Sequence, residues 1–497
     1  MLYILKKHVI KLDYIFYVVL LASFIVRVID LNYNSAFNDE AIYIVVGRMG
    51  LFTSDWWSYG ANRWMAGLPY IYPTLSALAY QTGGVMGSRF LNVIFGTFII
   101  EEIYRLTRLI AIFDRKTNQI AAIIAAFIAG FSGIGIFVSK LATYDLLSFF
   151  LLIVGINSFM KAKYFSNGKY YFLAFICLFL AFLTKIVAAF FFPVLFLMAL
   201  VILKKRNKRH HNLAIKYFFI PFALGIFAYS FIYFGNLMTY IVTHKGTELT
   251  YYYSDILKLI WEITGIVIIF TLPSVFVFLY LRKIKEVICL ITFAGVIPLS
   301  HLILKRYATL DKHLYLTVIF LSVIIGYALA ITYSKRKKIL SYLSQKQIIA
   351  NKIFITVFIY LILTTVTSVY IIVSYRQLLA LEHEWINTTE VQKYLVQNVK
   401  TGDKVLTENG ATIALALYNT TFPPKNIVTF DWIDYSGFQD NSGYFQALDD
   451  KFFDYIELDN QFEGKGELKD GIRERLNPNY STVYKKDNIE VYQKNEY

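Results

Sequence analysis

Long apolar stretches separated by short polar loops make up most of the first 375 residues of the chain. A stretch of about twenty apolar residues is long enough to cross a bilayer as a helix, which satisfies its own backbone hydrogen bonds. The pattern predicts eleven such spans, of which the fifth and sixth are short and closely spaced. The predicted spans lie at about 14–32, 88–110, 118–138, 142–160, 170–184, 185–203, 214–234, 256–281, 285–304, 312–333 and 350–374.

The segment 33–87 between the first two spans is the first of two long polar regions. In EAIYIVVGRMGLF, the apolar residues Ile42, Val45, Met49 and Phe52 recur at helical spacing on one face. Such spacing is typical of an amphipathic helix that lies along a membrane surface. We therefore expect an external loop that contains one interfacial helix.

The second polar region is the tail, residues 376–497, where alternating patterns replace the long apolar runs. We expect a helix near 384–399 and a helix or strand around 411–418. Short strands are predicted in DKVLTE, NIVTF, FDYIEL, STVYKK and IEVYQK. These elements predict a small α/β domain that follows a transmembrane domain over residues 1–375.

Composition and charge support this architecture. With 57% hydrophobic and 17% charged residues, the chain is too apolar for a soluble globule. Lysine and arginine concentrate in alternate loops, which predicts a cytoplasmic N-terminus and an extracytoplasmic tail in the plasma membrane. Most of the net charge of +15 lies in those loops, beside anionic lipid headgroups, so it does not predict nucleic-acid binding.

The acidic pair Asp39 and Glu40 follows the first predicted span, at its outer end. A carboxylate at that depth could act as a general base on a substrate that the membrane delivers. Alternatively, Asp39 caps the helix that begins beside it, because acidic side chains accept hydrogen bonds from free helix amides. The two interpretations are about equally supported by this residue alone.

Several other ionisable residues are predicted at the same membrane face. The basic ones are Arg89, Lys185, His301, Lys305, Arg306, Lys312 and His313, and the acidic one is Asp145. If the ninth span stays helical to its end, His301 and Lys305 share a face. Many cations beside few acids suit a phosphate group, although each cation could instead reach the headgroups of ordinary lipids.

The order of these motifs resembles a known family. The acidic pair, RFLNVIFGTFIIEEIYRLTR opening with Arg89, the Asp145 segment, FLAFLTK ending in Lys185, and RYATLDKHLYLTVIFLS are similar to motifs of the dolichyl-phosphate-mannose protein mannosyltransferases. The 4-amino-arabinose lipid A transferases belong to the same group, the membrane glycosyltransferases of the GT-C fold. The resemblance covers roughly residues 10 to 380. It implies a polytopic α-helical membrane protein of the GT-C type.

The resemblance also implies an activity and roles for the residues. It makes the chain a glycosyltransferase that moves a sugar from a polyprenyl phosphate to a glycan, lipid or protein acceptor at the extracytoplasmic face. Asp39 becomes the candidate base and Glu40 its neighbour. The candidate phosphate ligands are Lys185, Lys305, Arg306, Lys312, His313 and Arg89, with Asp145 as a supporting acid. The chain departs from the family where WMAGLPYIYP replaces a Lys-Pro-Pro run, and where Lys312 and His313 replace an arginine.

The chemistry of displacement predicts inversion of configuration in one step, with cations stabilising the phosphate as it leaves. No cofactor is required by this scheme; Mg²⁺ or Mn²⁺ could bridge phosphate and acid, but no metal-ligand spacing demands it. The alternative function is a transporter or flippase of a lipid-linked glycan. Transporters usually carry polar groups at the bilayer midplane and repeat their helices, whereas here the ionisable residues gather at one face, which favours an enzyme.

Overall fold

A computed structural model describes residues 2–56, 70–162, 164–165, 167–204, 206–239, 252–345, 352–408, 410–418, 422–430, 433–459 and 466–495. Helices dominate the chain as far as residue 382. They are α1 (Leu2–Val28), α2 (Asn38–Thr53), α3 (Ile71–Ile110), α4 (Arg115–Gly130), α5 (Gly133–Lys140), α6 (Asp145–Ala162), α7 (Gly168–Thr184), α8 (Phe192–Lys204), α9 (Lys208–Ala214), α10 (Ile220–Ile232), α11 (Tyr253–Tyr280), α12 (Ile284–Leu304), α13 (Leu310–Gln345) and α14 (Lys352–Glu382). A 3₁₀ helix, Ile186–Phe191, leads into α8, and a π-helical turn, Ile215–Phe219, joins α9 to α10.

The apolar helices confirm a multi-pass membrane protein. Seven helical segments among the described residues are long and apolar enough to cross a bilayer, and α4 with α5, bent by 61°, makes an eighth if the pair crosses as one. The fifth predicted span corresponds to α7, which is apolar but shorter. The first predicted span lies in α1 and the last in α14, and the side chains of both helices are described only in part. The direction in which the termini face stays a prediction.

Helix α13 forms the centre of the bundle. It packs against α4, α11 and α12, and its apolar residues from Leu310 to Ala330 are almost all buried. Burial on every side explains why this segment is apolar all round, since an outward-facing helix would need only one apolar stripe toward its neighbours. The bundle core therefore holds the N-terminal end of α13, where Lys312 and His313 lie, in a fixed position.

The first long loop contains more helix than the sequence pattern predicted. Helix α3 begins at Ile71 and is interrupted at Gly83 and Gly84, where Gly84 has φ of +61° and ψ of −149°. That conformation is open to glycine and excluded for other residues by clashes with Cβ. The break ends the first part of α3 before the predicted second span begins.

Helix α2 exists as predicted, but it is not a one-sided surface helix. Ile42, Ile44, Val45 and Val46 point in different directions and are all buried. The reason is that α2 lies between α3 and a helix of the C-terminal domain, α16 (Gly410–Tyr418), and packs against both. Apolar residues of α2 inside and outside the predicted stripe therefore share one hydrophobic core with residues of this domain.

The C-terminal domain is a small α/β unit, as expected. Its five-stranded sheet has the order β2-β1-β3-β5-β4, with β1, β2 and β3 parallel and β5 antiparallel to both β3 and β4. The strands are β1 (Val405–Thr407), β2 (Ile427–Thr429), β3 (Tyr455–Leu458), β4 (Tyr480–Lys486) and β5 (Ile489–Lys494). The helices are α15 (Thr389–Asn398), α16, α17 (Asn441–Asp449) and α18 (Gly466–Leu476), of which α17 and α18 were not predicted.

Hydrogen bonds tie this domain to the loop between α1 and α2. Asn34 donates its side-chain amide to the carbonyl of Trp385 at 3.0 Å, and the Trp385 indole donates to the carbonyl of Ser35 at 3.2 Å. The amide of Thr388 donates to the Ser35 hydroxyl at 3.0 Å. All of these groups are buried, so the start of the C-terminal domain is fixed to the segment that leads into Asp39.

Candidate functional site

The two adjacent acids, Asp39 and Glu40, have different environments. Successive residues of a helix point about 100° apart, so the first turn of α2 directs the two carboxylates to different neighbours. Glu40 points inward and is fully buried, whereas the Asp39 side chain is 27% exposed. Their chemistry differs accordingly.

Glu40 forms a saturated ion pair with Arg89. The Arg89 guanidinium donates to both carboxylate oxygens at 2.9 and 2.8 Å, and the amides of Phe37 and Ala142 donate to the same carboxylate. Arg89 also donates to the carbonyls of Leu31, Asn34 and Ser35. With all five N–H groups engaged, Arg89 has none left for a phosphate, which favours a structural role for the pair over the predicted catalytic and phosphate-binding roles.

The ring of Tyr33 packs against the Arg89 guanidinium of this ion pair. The Arg89 guanidinium lies 4.6 Å from the centre of the Tyr33 ring, and the Lys140 ammonium lies 5.7 Å from it. Burial raises the pKa of the Tyr33 phenol well above its usual value, so the ring stays neutral between the two cations. Lys140 in turn donates to Glu382 at 2.7 Å, in a buried ion pair that the sequence analysis did not predict.

Asp39 instead pairs with Lys312. The Lys312 ammonium donates to Asp39 Oδ2 at 2.6 Å and lies 4.9 Å from the centre of the Phe37 ring. Lys312 is the third residue of α13 and is buried among the neighbouring helices. The amide of Phe37 is capped by Glu40, so helix capping does not account for Asp39.

A second acid–lysine pair lies beside the first. Lys185 donates to Asp145 Oδ1 at 2.5 Å, and both side chains are buried. Lys185 occupies the break between α7 and the 3₁₀ helix, where extended backbone of φ −150° projects its side chain out of the helix direction. Asp145 opens α6, after a turn that Asn92 holds by donating to the carbonyl of Thr143 at 2.7 Å.

Two histidines border the second pair. His313 Nε2 lies 3.6 Å from Asp145 Oδ1, and His313 Nδ1 lies 3.0 Å from His301 Nε2. The helical neighbours α6, α12 and α13 thus bring together residues that are far apart in the sequence. We call Asp39, Asp145, Lys185, Lys312, His301 and His313 the ionic cluster.

Like Arg89, two further predicted phosphate ligands lie outside the ionic cluster. The structure ends α12 at Leu304 and places Lys305 in a left-handed conformation with φ of +50°. The expectation that Lys305 shares a helix face with His301 is therefore wrong. Lys305 is exposed and lies over the Tyr253 ring at 5.1 Å. Arg306 is half-buried, and its backbone carbonyl contacts His301.

The four charged side chains of the ionic cluster balance one another. Asp39 and Asp145 carry two negative charges, and Lys185 and Lys312 carry two positive ones. Pairing lowers the cost of holding charges away from water, which would be high for any of these groups alone. Lys312 also interacts electrostatically with Asp145, so the two pairs form one electrostatic unit.

A cleft of about 710 Å³ lies between the loop that leads into α2 and the C-terminal domain, and no residue of the ionic cluster lines it. One wall is the loop that leads into α2, together with Tyr80 of α3. The other wall is formed by α15, α16 and the β4–β5 turn of the C-terminal domain. Polar and aromatic lining residues include Asn32, Gln392, Lys393, Tyr484 and Lys486. Among the described residues, no three His, Cys, Asp or Glu side chains are arranged to hold a metal ion.

Comparisons with known proteins identify the fold. No protein-family profile matches the sequence, and no curated protein matches it. Among solved structures, ArnT from Cupriavidus metallidurans superimposes with a TM-score of 0.63 in its apo state and 0.59 bound to undecaprenyl phosphate. In both, identity is 12% over 96% of this chain and 97% of ArnT.

A second type of enzyme shows the same likeness. The oligosaccharyltransferase of Archaeoglobus fulgidus in its apo form superimposes with a TM-score of 0.55 at 14% identity. The match covers 94% of this chain and 73% of that enzyme. Both solved proteins are membrane glycosyltransferases of the GT-C type. The chain, with its helical bundle and small C-terminal sheet, therefore has the GT-C fold.

Proposed function

We propose that this protein is a glycosyltransferase that transfers a sugar from a polyprenyl phosphate to an acceptor hydroxyl at the extracytoplasmic membrane face. The single observation that carries the proposal is the charge-balanced ionic cluster at one end of the bundle. It occurs in a fold shared with ArnT, one structure of which contains undecaprenyl phosphate. A lipid phosphate is the ligand that buried lysines at a membrane face suit best.

Lys185 and Lys312 are the proposed phosphate ligands. In the structure each donates a hydrogen bond to a carboxylate, at 2.5 and 2.6 Å. A phosphate oxygen can replace the carboxylate as acceptor, because it carries comparable charge in the same geometry. The exchange keeps both ammonium groups neutralised and releases the acids from their partners.

Asp39 is the proposed general base. Paired with Lys312, Asp39 has Oδ2 engaged in accepting a hydrogen bond from the ammonium group. When Lys312 turns to the phosphate, Asp39 becomes free to accept the proton of an attacking hydroxyl. Phosphate binding would thus switch on the base, which couples occupancy of the donor site to catalysis.

The transfer is then a single displacement. The acceptor oxygen attacks the anomeric carbon on the face opposite to the phosphate, and the bond to the phosphate oxygen breaks. Negative charge on that oxygen grows as the bond breaks, so contacts with Lys185 and Lys312 strengthen in the transition state and lower the barrier. One displacement predicts a product of inverted anomeric configuration.

The cleft between the loop that leads into α2 and the C-terminal domain is the proposed route for the acceptor. It is bounded by the loop that leads into α2, and its lining mixes amides, tyrosines and charges of both signs. Such a surface suits a neutral, hydroxyl-rich acceptor, since amides bind hydroxyls and aromatic rings stack on sugars. A glycan, a glycolipid headgroup or a glycosylated protein would all present this chemistry.

The test is transfer of label from polyprenyl-phosphate sugars by the purified protein, with native membrane extract as acceptor. Asp39→Asn is run beside Asp30→Asn, a matched control at an exposed acid near the end of α1. We expect transfer by the parent and the control, none by a folded Asp39→Asn variant, and inverted configuration in the product. Adding EDTA, then Mg²⁺ or Mn²⁺, tests whether a divalent cation is required.

The same experiment separates the enzyme from the alternative, a flippase of a lipid-linked glycan. Donor binding without transfer to any acceptor fraction would contradict the enzyme and favour the flippase. Full activity of Asp39→Asn would contradict the proposed role of Asp39 but not the proposed transfer reaction.

A further inference from the structure

The buried histidines of the ionic cluster have a defined tautomeric state. His301 lies near the end of α12 and His313 near the start of α13, and both are buried. His301 Nδ1 lies 2.9 Å from the carbonyl oxygen of Arg306. A carbonyl can only accept a hydrogen bond, so His301 Nδ1 carries a hydrogen.

The hydrogen on His301 Nδ1 determines which nitrogen of His313 carries a hydrogen. In a neutral His301 the second nitrogen, Nε2, is an acceptor, so His313 Nδ1 at 3.0 Å must donate to it. The lone pair of neutral His313 is then on Nε2, which has no hydrogen-bond partner and is buried. This nitrogen faces Asp145 Oδ1 at 3.6 Å, so two acceptors point at each other with no proton between them.

The charged groups around the two histidines determine under which conditions His313 Nε2 takes up a proton. Charged groups face the pair from every neighbouring element: Asp145 from α6, Lys185 from the start of the 3₁₀ helix and Lys312 from α13 itself. Arg306 lies beside His301, and Phe149 adds a neutral ring 6.4 Å from His313. Asp145 is already bonded to Lys185 and Asp39 to Lys312, so neither of these acids is left to attract a proton to the pair. Asp311, beside Lys312 on α13, is a third acid that interacts with Lys312, Lys185 and Asp145.

We propose that His313, positioned by His301, takes up one proton when a lipid phosphate binds and delivers it to the phosphate oxygen that leaves the sugar. The inference rests on the proposed function and assigns a proton donor to it. A phosphate brings negative charge that the two lysines do not cancel, because their own acids remain nearby. Proton uptake at Nε2 restores the balance, and the bond to His301 allows both rings to share the positive charge.

The step conserves atoms and charge. The bond between the anomeric carbon and the phosphate oxygen breaks, with its electron pair staying on that oxygen. The acceptor oxygen forms the new bond to carbon and its proton moves to Asp39. The proton on His313 Nε2 moves to the phosphate, which leaves as a protonated monoester. Asp39 then loses its proton to water and the histidine pair regains one for the next donor.

His313 is thus a catalytic residue that touches the phosphate, and His301 is a positioning residue that acts through it. A rate effect of about 10²–10⁴ is typical of a proton donor in the transition state. The donor must be protonated, so kcat is expected to fall as pH rises through the pKa of the loaded pair.

The first measurement is calorimetric titration of the full-length protein in detergent with undecaprenyl phosphate at pH 8, in buffers of high and low ionisation enthalpy. The lipid phosphate is mostly dianionic there, since the second pKa of a phosphomonoester is about 6. We expect uptake of about one proton per bound lipid in the parent and in His383→Gln, an exposed matched control. His313→Gln should bind the lipid with little uptake.

The outcomes separate this inference from the proposed function. Equal uptake by the parent and His313→Gln would overturn the inference, because the phosphate itself would then be the proton acceptor. Binding by the parent without uptake would overturn it as well. A parent that binds no lipid phosphate at all would instead refute the proposed function, and the inference with it.

A kinetic measurement tests the positioning role of His301. His301→Gln keeps an acceptor for His313 Nδ1, whereas His301→Leu removes it. We expect KM for the donor to change little in either, kcat to drop further in His301→Leu, and the alkaline fall of kcat to disappear in His313→Gln. An unchanged pH profile in folded His313→Gln would contradict the role of His313.

Discussion

Asp39 and Glu40 are adjacent in the sequence and have the same functional group, yet they belong to two different ionic systems. Glu40 and Arg89 are saturated, with every guanidinium N–H and both carboxylate oxygens in hydrogen bonds to partners within the fold. Asp39 has a single ammonium partner and partial exposure. A saturated pair holds backbone segments together, whereas an unsaturated one can exchange its partner for a ligand.

The largest expected effect is on catalysis, in the unsaturated system. Asp39→Asn should lower the transfer rate by roughly 10²–10⁴ while changing stability little, because the amide oxygen still accepts from Lys312. Transfer rate and thermal unfolding of the purified protein, measured together, check this. A variant that unfolds early would show that Asp39 also stabilises the fold.

The next effect is on stability, in the saturated system. Arg89→Met leaves Glu40 buried without its cation, which typically costs about 3–5 kcal/mol. We expect a large drop in folded protein recovered and in the unfolding temperature, partly recovered in the double variant Glu40→Gln, Arg89→Met. If Arg89→Met unfolds like the parent but loses lipid phosphate binding, Arg89 is a phosphate ligand as the sequence suggested.

A smaller effect is expected on donor affinity. Each charged hydrogen bond to phosphate contributes about 1.5–3 kcal/mol, so Lys185→Met and Lys312→Met should each raise the Kd for undecaprenyl phosphate by roughly 10- to 100-fold. Lys258→Met is the control, since Lys258 is exposed on α11 and 3.9 Å from Glu262. Titration with undecaprenyl phosphate measures all three. An unchanged Kd in Lys312→Met would contradict the proposed exchange of partners.

The smallest expected effect concerns Lys305. Its position over the Tyr253 ring, away from the ionic cluster, predicts that Lys305→Met changes Kd for undecaprenyl phosphate by no more than about twofold, as for exposed charges in general. A tenfold loss in the same titration would mean that the end of α12 rearranges when the lipid binds. That result would support Lys305 as a phosphate ligand.

Much of the fold was predictable because length and apolarity alone define a membrane helix. All eleven predicted spans begin or end within helices that the structure also places there, and the alternating tail indicated the strands of the sheet. The short helices α17 and α18 were not predictable in this way. They are polar on one side and their apolar residues are few, so their helical form depends on packing against each other and the sheet.

The site was predictable as a set of residues but not as a set of pairs. Asp39, Asp145, Lys185, Lys312 and His313 do come together, while Arg89 and Lys305 do not join them. The sequence could not distinguish Asp39 from Glu40, because which of two neighbouring acids meets an arginine is decided by the direction of the helix. It could not pair His301 with His313 either, since the loop between α12 and α13 sets that distance.

The hydrogen bonds that join Asn34 and Ser35 to Trp385 and Thr388 bear on how proteins of this fold diversify. Because the loop before α2 is held in place by hydrogen bonds to the first residues of the tail, the C-terminal domain is not an interchangeable module. A chimaera joined at residue 376 would bring a foreign partner to the loop that positions Asp39. Recombination within this fold should succeed only when the loop and the tail are inherited together.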